Sequence, residues 1–416
     1  MKSSDKKKIL ILTADAGFGH RSAATAVSDA LKQTYNNQLQ VDIINPLDNR
    51  KAPFFLRESQ SDYDKIIRSI PELYKVGYEA SDSTFSASVF ERALTVLLFD
   101  VMFEIIQEYQ PDVILTTYPL YQAPFTAVRF IHRINIPLYT VITDLATVHH
   151  IWFNRHIDGL FVPTEEVKQL AMDAKIPENR IEITGIPVSP AYNQISKDKK
   201  TLRSELGWDP DLTTILAVGS RRVEQLEASM NVINHFGEKL QLIGVAGKDS
   251  VLYQQLMEMD WHIPTHIYEY VSNMPHFMMA SDFIITKAGG LIVTESLAAG
   301  LPMMLIDIIP GQETGNAEYV VHHGAGQITL EPIEVLETLY HWLSNDRKIL
   351  IEKSQNAKFI GKPDSAIHIA NTLYSAAQVK YEKNTSLRPE FQQNLLELLN
   401  RYKIKIPEDR FFIKKQ

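Results

Sequence analysis

Short runs of β-branched and aliphatic residues recur along the chain, each followed by a turn of small or polar residues and then a longer stretch with helical spacing. Residues 9–13 precede a helical pattern over 22–33, and 113–117 precede one over 123–132. Runs at 138–143 and 159–162 follow, the second leading into a helical stretch over 165–175. The cycle restarts at 214–219 and continues through 223–236, 240–245, 283–286, 291–299 and 303–306. Strands that alternate with helices predict an α/β fold with parallel sheets covered on both faces. Two such series, parted by a polar stretch over 193–211, predict two doubly wound domains with a cleft between them. The expected boundaries are 1–195, with a helical insertion over about 46–100, then 196–375, then a C-terminal helix and basic tail over 376–416.

Two regions break the alternation. Residues 46–100 show no clear strand but carry Phe54, Phe55, Leu56, Tyr63, Tyr74, Tyr78 and Phe85. Aromatics packed inward from a helical insertion are one reading. A lid whose aromatics meet a membrane interface, with Phe54, Phe55 and Leu56 as its contacts, is the other. The tail, 401–416, sets six basic residues against two acidic ones and interleaves Phe411, Phe412 and Ile413. A solvated terminus and a contact with an anionic surface both account for that pattern.

Composition narrows the class. With 45% hydrophobic and 22% charged residues, wholesale disorder is excluded. Cysteine is absent, which excludes a disulfide scaffold, a thiolate metal site and a cysteine nucleophile, and suits a reducing compartment. The formal net charge of −8 gives no sign of a nucleic-acid partner, and none is expected. The longest apolar candidate for a span, 93–106, is cut by Asp100 and Glu104, so no membrane-spanning helix is expected. Lys6, Lys7 and Lys8 precede an apolar run that meets Thr13 and Asp15 at once, as a first strand does and a signal peptide does not.

Candidate chemistry gathers at strand ends. The first strand runs into Asp15, Gly17, Gly19 and His20 just before a helix. Glycines there let a ligand approach the backbone, and the helix start offers N–H groups to a polar or anionic group. The dinucleotide fingerprint is incomplete, because Ser22 stands at its third glycine. His20 is then either a general base at the ligand-binding edge of the sheet or a plain helix-start residue. A second cluster, Lys287, Ala288, Gly289, Gly290 and Leu291, can present backbone N–H groups to a diphosphate. Glu295, on the helix that follows, is either a ribose ligand or a solvated carboxylate. Gln312, Glu313 and Asn316 suit sugar hydroxyls, or else cap a helix. No Walker loop or His-Glu-x-x-His helix is present. The Asp-x-Asp pairs, at Asp62/Asp64 and Asp209/Asp211, fall in the insertion and the polar stretch, so no metal site is expected.

Taken together these stretches resemble the MurG-like glycosyltransferases, specifically the diacylglycerol glucosyl- and galactosyltransferases, which include the monogalactosyldiacylglycerol synthases. The resemblance rests on 10–22, on Thr143, Asp144 and Leu145 through Trp152 to Glu165, on 184–190, and on 286–326 with its Pro310-Gly311-Gln312-Glu313 and Asn316. It spans most of 8–375. It implies the GT-B fold, two Rossmann-like domains, and transfer of a hexose from UDP-glucose or UDP-galactose to diacylglycerol with inversion. His20 matches the family's catalytic histidine, with Asp15 or Asp144 to orient it. Ser220, Arg221 and the Gly289–Gly290 helix start would carry the diphosphate without a metal or other cofactor. Val271 matches the backbone that grips uracil, Glu295 the ribose ligand, and Gln312, Glu313 and Asn316 the sugar contacts. The implied location is cytoplasmic, peripheral on the inner face of the cell membrane and drawn to its anionic surface.

The chain departs from the family pattern at 219–222, which reads Gly-Ser-Arg-Arg where relatives carry more glycine or alanine, and the insertion and the tail align poorly. An N-acetylglucosaminyltransferase of peptidoglycan precursors is the nearest competing reading, but the first loop lacks its Thr-Gly-Gly-Thr-Gly-Gly-His pattern. A UDP-sugar epimerase or binding protein would keep the second set of loops and need no apolar acceptor surface.

Overall fold

The computed structural model describes residues 6–15, 19–53, 57, 84–219, 223, 225–311 and 313–379, with backbone only for 84–94. The chain divides into two compact units. One comprises residues 1–143, 148–183 and 367–416, the other 144–147 and 184–366.

The first unit is built on β1 (Lys7–Leu12), α1 (Gly19–Tyr35), β2 (Leu39–Ile44), α2 (Thr84–Tyr109), β3 (Val113–Thr116), α3 (Gln122–Ile131), β4 (Leu138–Val141), β5 (Gly159–Val162), α4 (Glu165–Asp173) and β6 (Ile181–Ile183). Its six strands are parallel, in the order β2-β1-β3-β4-β5-β6. β3 is buried along its whole length, as a strand covered on both faces must be. On α2, Leu98, Val101, Met102, Ile105 and Ile106 form a buried stripe at helical spacing, while Asp100 is exposed and Glu104 pairs with Lys51. No helix among the described residues is long and apolar enough to cross a membrane.

The second unit contains α5 (Ala191–Gln194), α6 (Lys199–Glu205), β7 (Thr213–Val218), α7 (Leu226–Asn234), β8 (Leu240–Val245), α8 (Ser250–Glu258), β9 (Thr265–Tyr268), α9 (Met274–Ala280), β10 (Phe283–Lys287), α10 (Gly290–Ala298), β11 (Met303–Asp307), α11 (Thr314–His322), β12 (Gly326–Ile328), α12 (Pro332–Leu343) and α13 (Lys348–Ile360). Its strands are again parallel, in the order β12-β11-β10-β7-β8-β9. The last described helix, α14 (Ser365–Gln378), begins in this unit and belongs to the first from residue 367 onward. There Tyr374 stacks on Tyr35 with ring centroids 3.8 Å apart, Tyr35 donates to Asn371 at 2.7 Å, and His368 pairs with Glu182.

The polar stretch over 193–211 is not where the chain changes unit, which happens between Ile183 and Thr184. Its charges instead tie it to the second sheet. Arg203 is buried and donates to the Ala280 carbonyl at 2.8 Å, the Leu212 carbonyl at 2.9 Å and Asp282 at 2.7 Å. Trp208 is buried beside it and donates to the Tyr268 hydroxyl at 3.1 Å. A hydrogen-bonded buried guanidinium leaves in sequence the same polar signature as a linker.

Each sheet has one place where its strand order reverses. In the first this lies between β1 and β3, in the second between β7 and β10. Loops leaving the carboxyl ends of these strands are where open α/β sheets bind ligands.

Candidate active site

His20 stands in the first turn of α1, at the switch point of the first sheet. Its Nδ1 lies 2.8 Å from the Thr117 carbonyl and 2.7 Å from Thr143 Oγ1. A carbonyl can only accept, so the proton is assigned to Nδ1 and the lone pair to Nε2. Tyr118 meets the ring edge-on at 4.9 Å and Trp152 lies 6.1 Å away, centroid to centroid. Crowding by this wall removes water from the ring and pushes its pKa down to about 4, against a smaller upward pull from the Thr117 carbonyl. The imidazole is therefore neutral at pH 7, and Nε2 has no partner among the described residues.

Of the two carboxylates expected to orient His20, Asp15 is held by a neighbouring arginine. Arg21 grips Asp15 through two hydrogen bonds of 2.8 Å, and this pair holds the Asp15 pKa below its ordinary value. A planar guanidinium is a far stronger partner for a carboxylate than a neutral imidazole. Asp144 follows Thr143 directly and groups with the second unit. The oxygens that hold His20 come from Thr117 and Thr143, of which the sequence named only Thr143, within the resemblance and with no role. Their signal was there: each is a threonine just past the end of an adjacent strand.

In the second unit, β10 leads through Ala288 and Gly289 into α10, whose start has no side-chain cap. Its first N–H groups, at Gly290, Leu291 and Ile292, have no side-chain cap among the described residues and can meet an anion. Lys287 forms an ion pair with Glu313 next to this helix start; a Cβ on Gly289 would lie 3.3 Å from the Lys287 Nζ. Glu313 is buried and also accepts from the Ile309 N–H at 3.1 Å. Asn316, buried as well, donates to the Ala288 carbonyl at 3.0 Å. Glu313 and Asn316, expected as sugar contacts, are thus engaged in shaping the loop before the helix.

Glu295 behaves differently. Its carboxylate has no hydrogen-bond partner among the described residues, and burial raises its pKa to about 7. Its charge in turn helps push the buried Tyr192 hydroxyl up. A desolvated carboxylate without donors fits neither a solvated helix face nor a core residue, and is suited to receiving hydroxyls from a ligand. Val271 lies half-buried in the loop after β9, beside Tyr270, whose ring carries Lys248 Nζ 4.3 Å from its centroid. At the end of β7, a Cβ on Gly219 would come within 2.4 Å of the Leu226 side chain, so a larger residue there requires the leucines beside it to shift. Gly19 opens α1 with open space around it. Gly17, Phe54, Phe55, Leu56, Ser220, Arg221, Gln312 and the tail lie outside the described residues.

Two parallel six-stranded sheets flanked by helices, each with its loops at a switch point, define the GT-B glycosyltransferase fold. MurG from Acinetobacter baumannii superposes with a TM-score of 0.56 at 15% identity, over 89% of this chain and 99% of that one. A UDP-GlcNAc 2-epimerase from Neisseria meningitidis, bound to UDP-GlcNAc, gives 0.57 at 13% identity over 89% and 100%. These likenesses establish the fold and no more. The sequence goes further: residues 20–188 match the family model for monogalactosyldiacylglycerol (MGDG) synthase, and 213–369 match the glycosyltransferase family 28 C-terminal domain. A probable chloroplastic monogalactosyldiacylglycerol synthase 2 of Oryza sativa subsp. indica is 30% identical over 91% of this chain and 82% of its own length. The chloroplastic monogalactosyldiacylglycerol synthase of Spinacia oleracea is 31% identical over 88% and 72%. The chain belongs to the monogalactosyldiacylglycerol synthase family and is a glycosyltransferase of glycolipid synthesis.

Proposed function

We propose that this protein transfers galactose from UDP-galactose to the free hydroxyl of diacylglycerol, with inversion, at a membrane surface. The observation that carries the reading is His20: a neutral imidazole with its proton fixed on Nδ1 and an Nε2 without a partner among the described residues, at the edge of the sheet where ligands bind. Nε2 takes the proton of the acceptor hydroxyl as its oxygen attacks the anomeric carbon and the bond to UDP breaks. In the second unit the uncapped start of α10 receives the diphosphate, with Ser220 and Arg221 added by family resemblance. Glu295 accepts the ribose hydroxyls and Val271 lines the base. No metal is required in this reading, because helix N–H groups and arginine supply the positive charge. Galactose follows the names of the relatives, with glucose the competing donor. Diacylglycerol stays in the bilayer, so the enzyme works as a peripheral protein, expected on the inner face of the cell membrane.

The test is incubation of the purified protein with diacylglycerol vesicles and each radiolabelled donor in turn. Galactolipid formed from UDP-galactose supports the reading. A glucolipid from UDP-glucose alone corrects the donor, and an epimerised sugar nucleotide with no lipid product overturns the transfer.

A further inference from the structure

The reading of His20 as base leaves open what holds the imidazole and what meets the charge once it accepts a proton. Three neighbouring strand ends supply an answer. Thr13, Thr117 and Thr143 follow β1, β3 and β4, which lie side by side, and all three are buried. The Thr117 hydroxyl lies 3.0 Å from both Thr13 Oγ1 and the His20 carbonyl, tying the start of α1 to the strand beneath it. The Thr117 carbonyl and Thr143 Oγ1 then converge on one ring nitrogen, at 2.8 and 2.7 Å. Since the carbonyl fixes the proton on Nδ1, Thr143 must turn a lone pair toward it.

We propose that Thr143 is a positioning residue for the transfer reaction: its hydroxyl oxygen fixes the plane of the His20 ring and stabilises the imidazolium formed when the acceptor loses its proton. The proposal rests on His20 being the base. In that step the acceptor O–H bond breaks and its proton goes to Nε2. The oxygen's electron pair bonds to the anomeric carbon, and the sugar–phosphate pair leaves with UDP. Positive charge then spreads onto Nδ1–H, and its hydrogen bonds to two oxygens strengthen. A hydroxyl provides this without a carboxylate's fixed charge, so the resting ring stays neutral. The titratable and charged groups around the ring are consistent with that. Tyr118, from the loop after β3, is uncharged at neutral pH, its phenol pushed up to about 12 by burial. The adjacent Arg21 is neutralised by Asp15, with Asp48 nearby. Trp152 carries no charge.

The experiment compares Thr143→Val, Thr143→Ser and Thr143→Asp with His20→Ala in the full-length protein, measuring kcat, KM for the donor and the pH profile. Valine keeps the shape and removes the oxygen, so kcat should fall about tenfold with the donor KM unchanged, the effect of one hydrogen bond to a charged group. Serine should restore kcat to within about twofold. Aspartate places a negative charge on Nδ1–H and should move the acid limb of the profile upward by about one pH unit or more. A Thr143→Val enzyme with wild-type kcat, beside an inactive His20→Ala, overturns the proposal and leaves the base in place. So does an acid limb unmoved in Thr143→Asp, the outcome of a merely structural role. An active His20→Ala overturns the underlying assignment instead.

Discussion

Removing His20 should make the first unit less sensitive to acid. The unfolded side chain titrates near 6.5, whereas in the fold desolvation lowers the pKa to about 4. Between these values the unfolded state binds more protons than the native state. Stability is therefore fully present above pH 6.5 and is lost as pH falls toward 4. Linkage with those two values gives a loss of about 2 kcal/mol at pH 5, saturating at about 3 kcal/mol below pH 4. Glu295 acts with the opposite sign: its carboxyl is raised to about 7, so its contribution grows as pH falls, but it belongs to the other unit. The comparison is made between wild type and His20→Asn, whose amide can still donate to the Thr117 carbonyl. Amide exchange in β1 and β3 reads the opening free energy of the first unit alone, at pH 7.5 and pH 5. The wild type should lose about 2 kcal/mol more than the variant across that interval. Parallel losses in the two proteins would refute the claim that the fold holds this imidazole neutral.

Three further outcomes are expected. UDP-galactose affinity should rise between about pH 6 and 8 as Glu295 ionises, and Glu295→Gln should flatten that rise and weaken binding about tenfold; titration calorimetry showing a pH-independent wild type would remove the carboxylate from the site. Activity should survive EDTA, since helix N–H groups and Arg221 are proposed to stabilise the leaving diphosphate, and loss on chelation restored by magnesium would refute this. Binding to anionic vesicles should weaken more in Phe54→Ser/Phe55→Ser than on deleting residues 401–416, because a buried phenylalanine contributes about 1.5–3 kcal/mol and a basic residue near the leaflet about 1 kcal/mol. Unchanged co-sedimentation of the double variant would move the membrane contact elsewhere.

The sequence alone determined the strand–helix alternation, the parallel sheets and the loops that carry the glycines and His20. Those features are written in local periodicity, because a strand covered on both faces must be apolar throughout and a turn that a ligand approaches closely must be small. Tertiary structure decided the partners. Asp15 looks in sequence like a companion of His20, being five residues away, yet a guanidinium one residue beyond the histidine captures it. The groups on the imidazole come instead from residues 97 and 123 positions distant, brought together only because β3 and β4 pair beside β1. Glu313 and Asn316 were legible as polar residues on the right loop, but whether they face a ligand or the backbone depends on where Lys287 and Ala288 lie. The stretch over 193–211 read as a linker because burial of Arg203 on four acceptors leaves no trace in hydropathy. Pattern reports which residues can be buried. Which charge meets which partner is set by contacts between strands far apart in the chain, and the pKa values of His20 and Glu295 follow from those contacts.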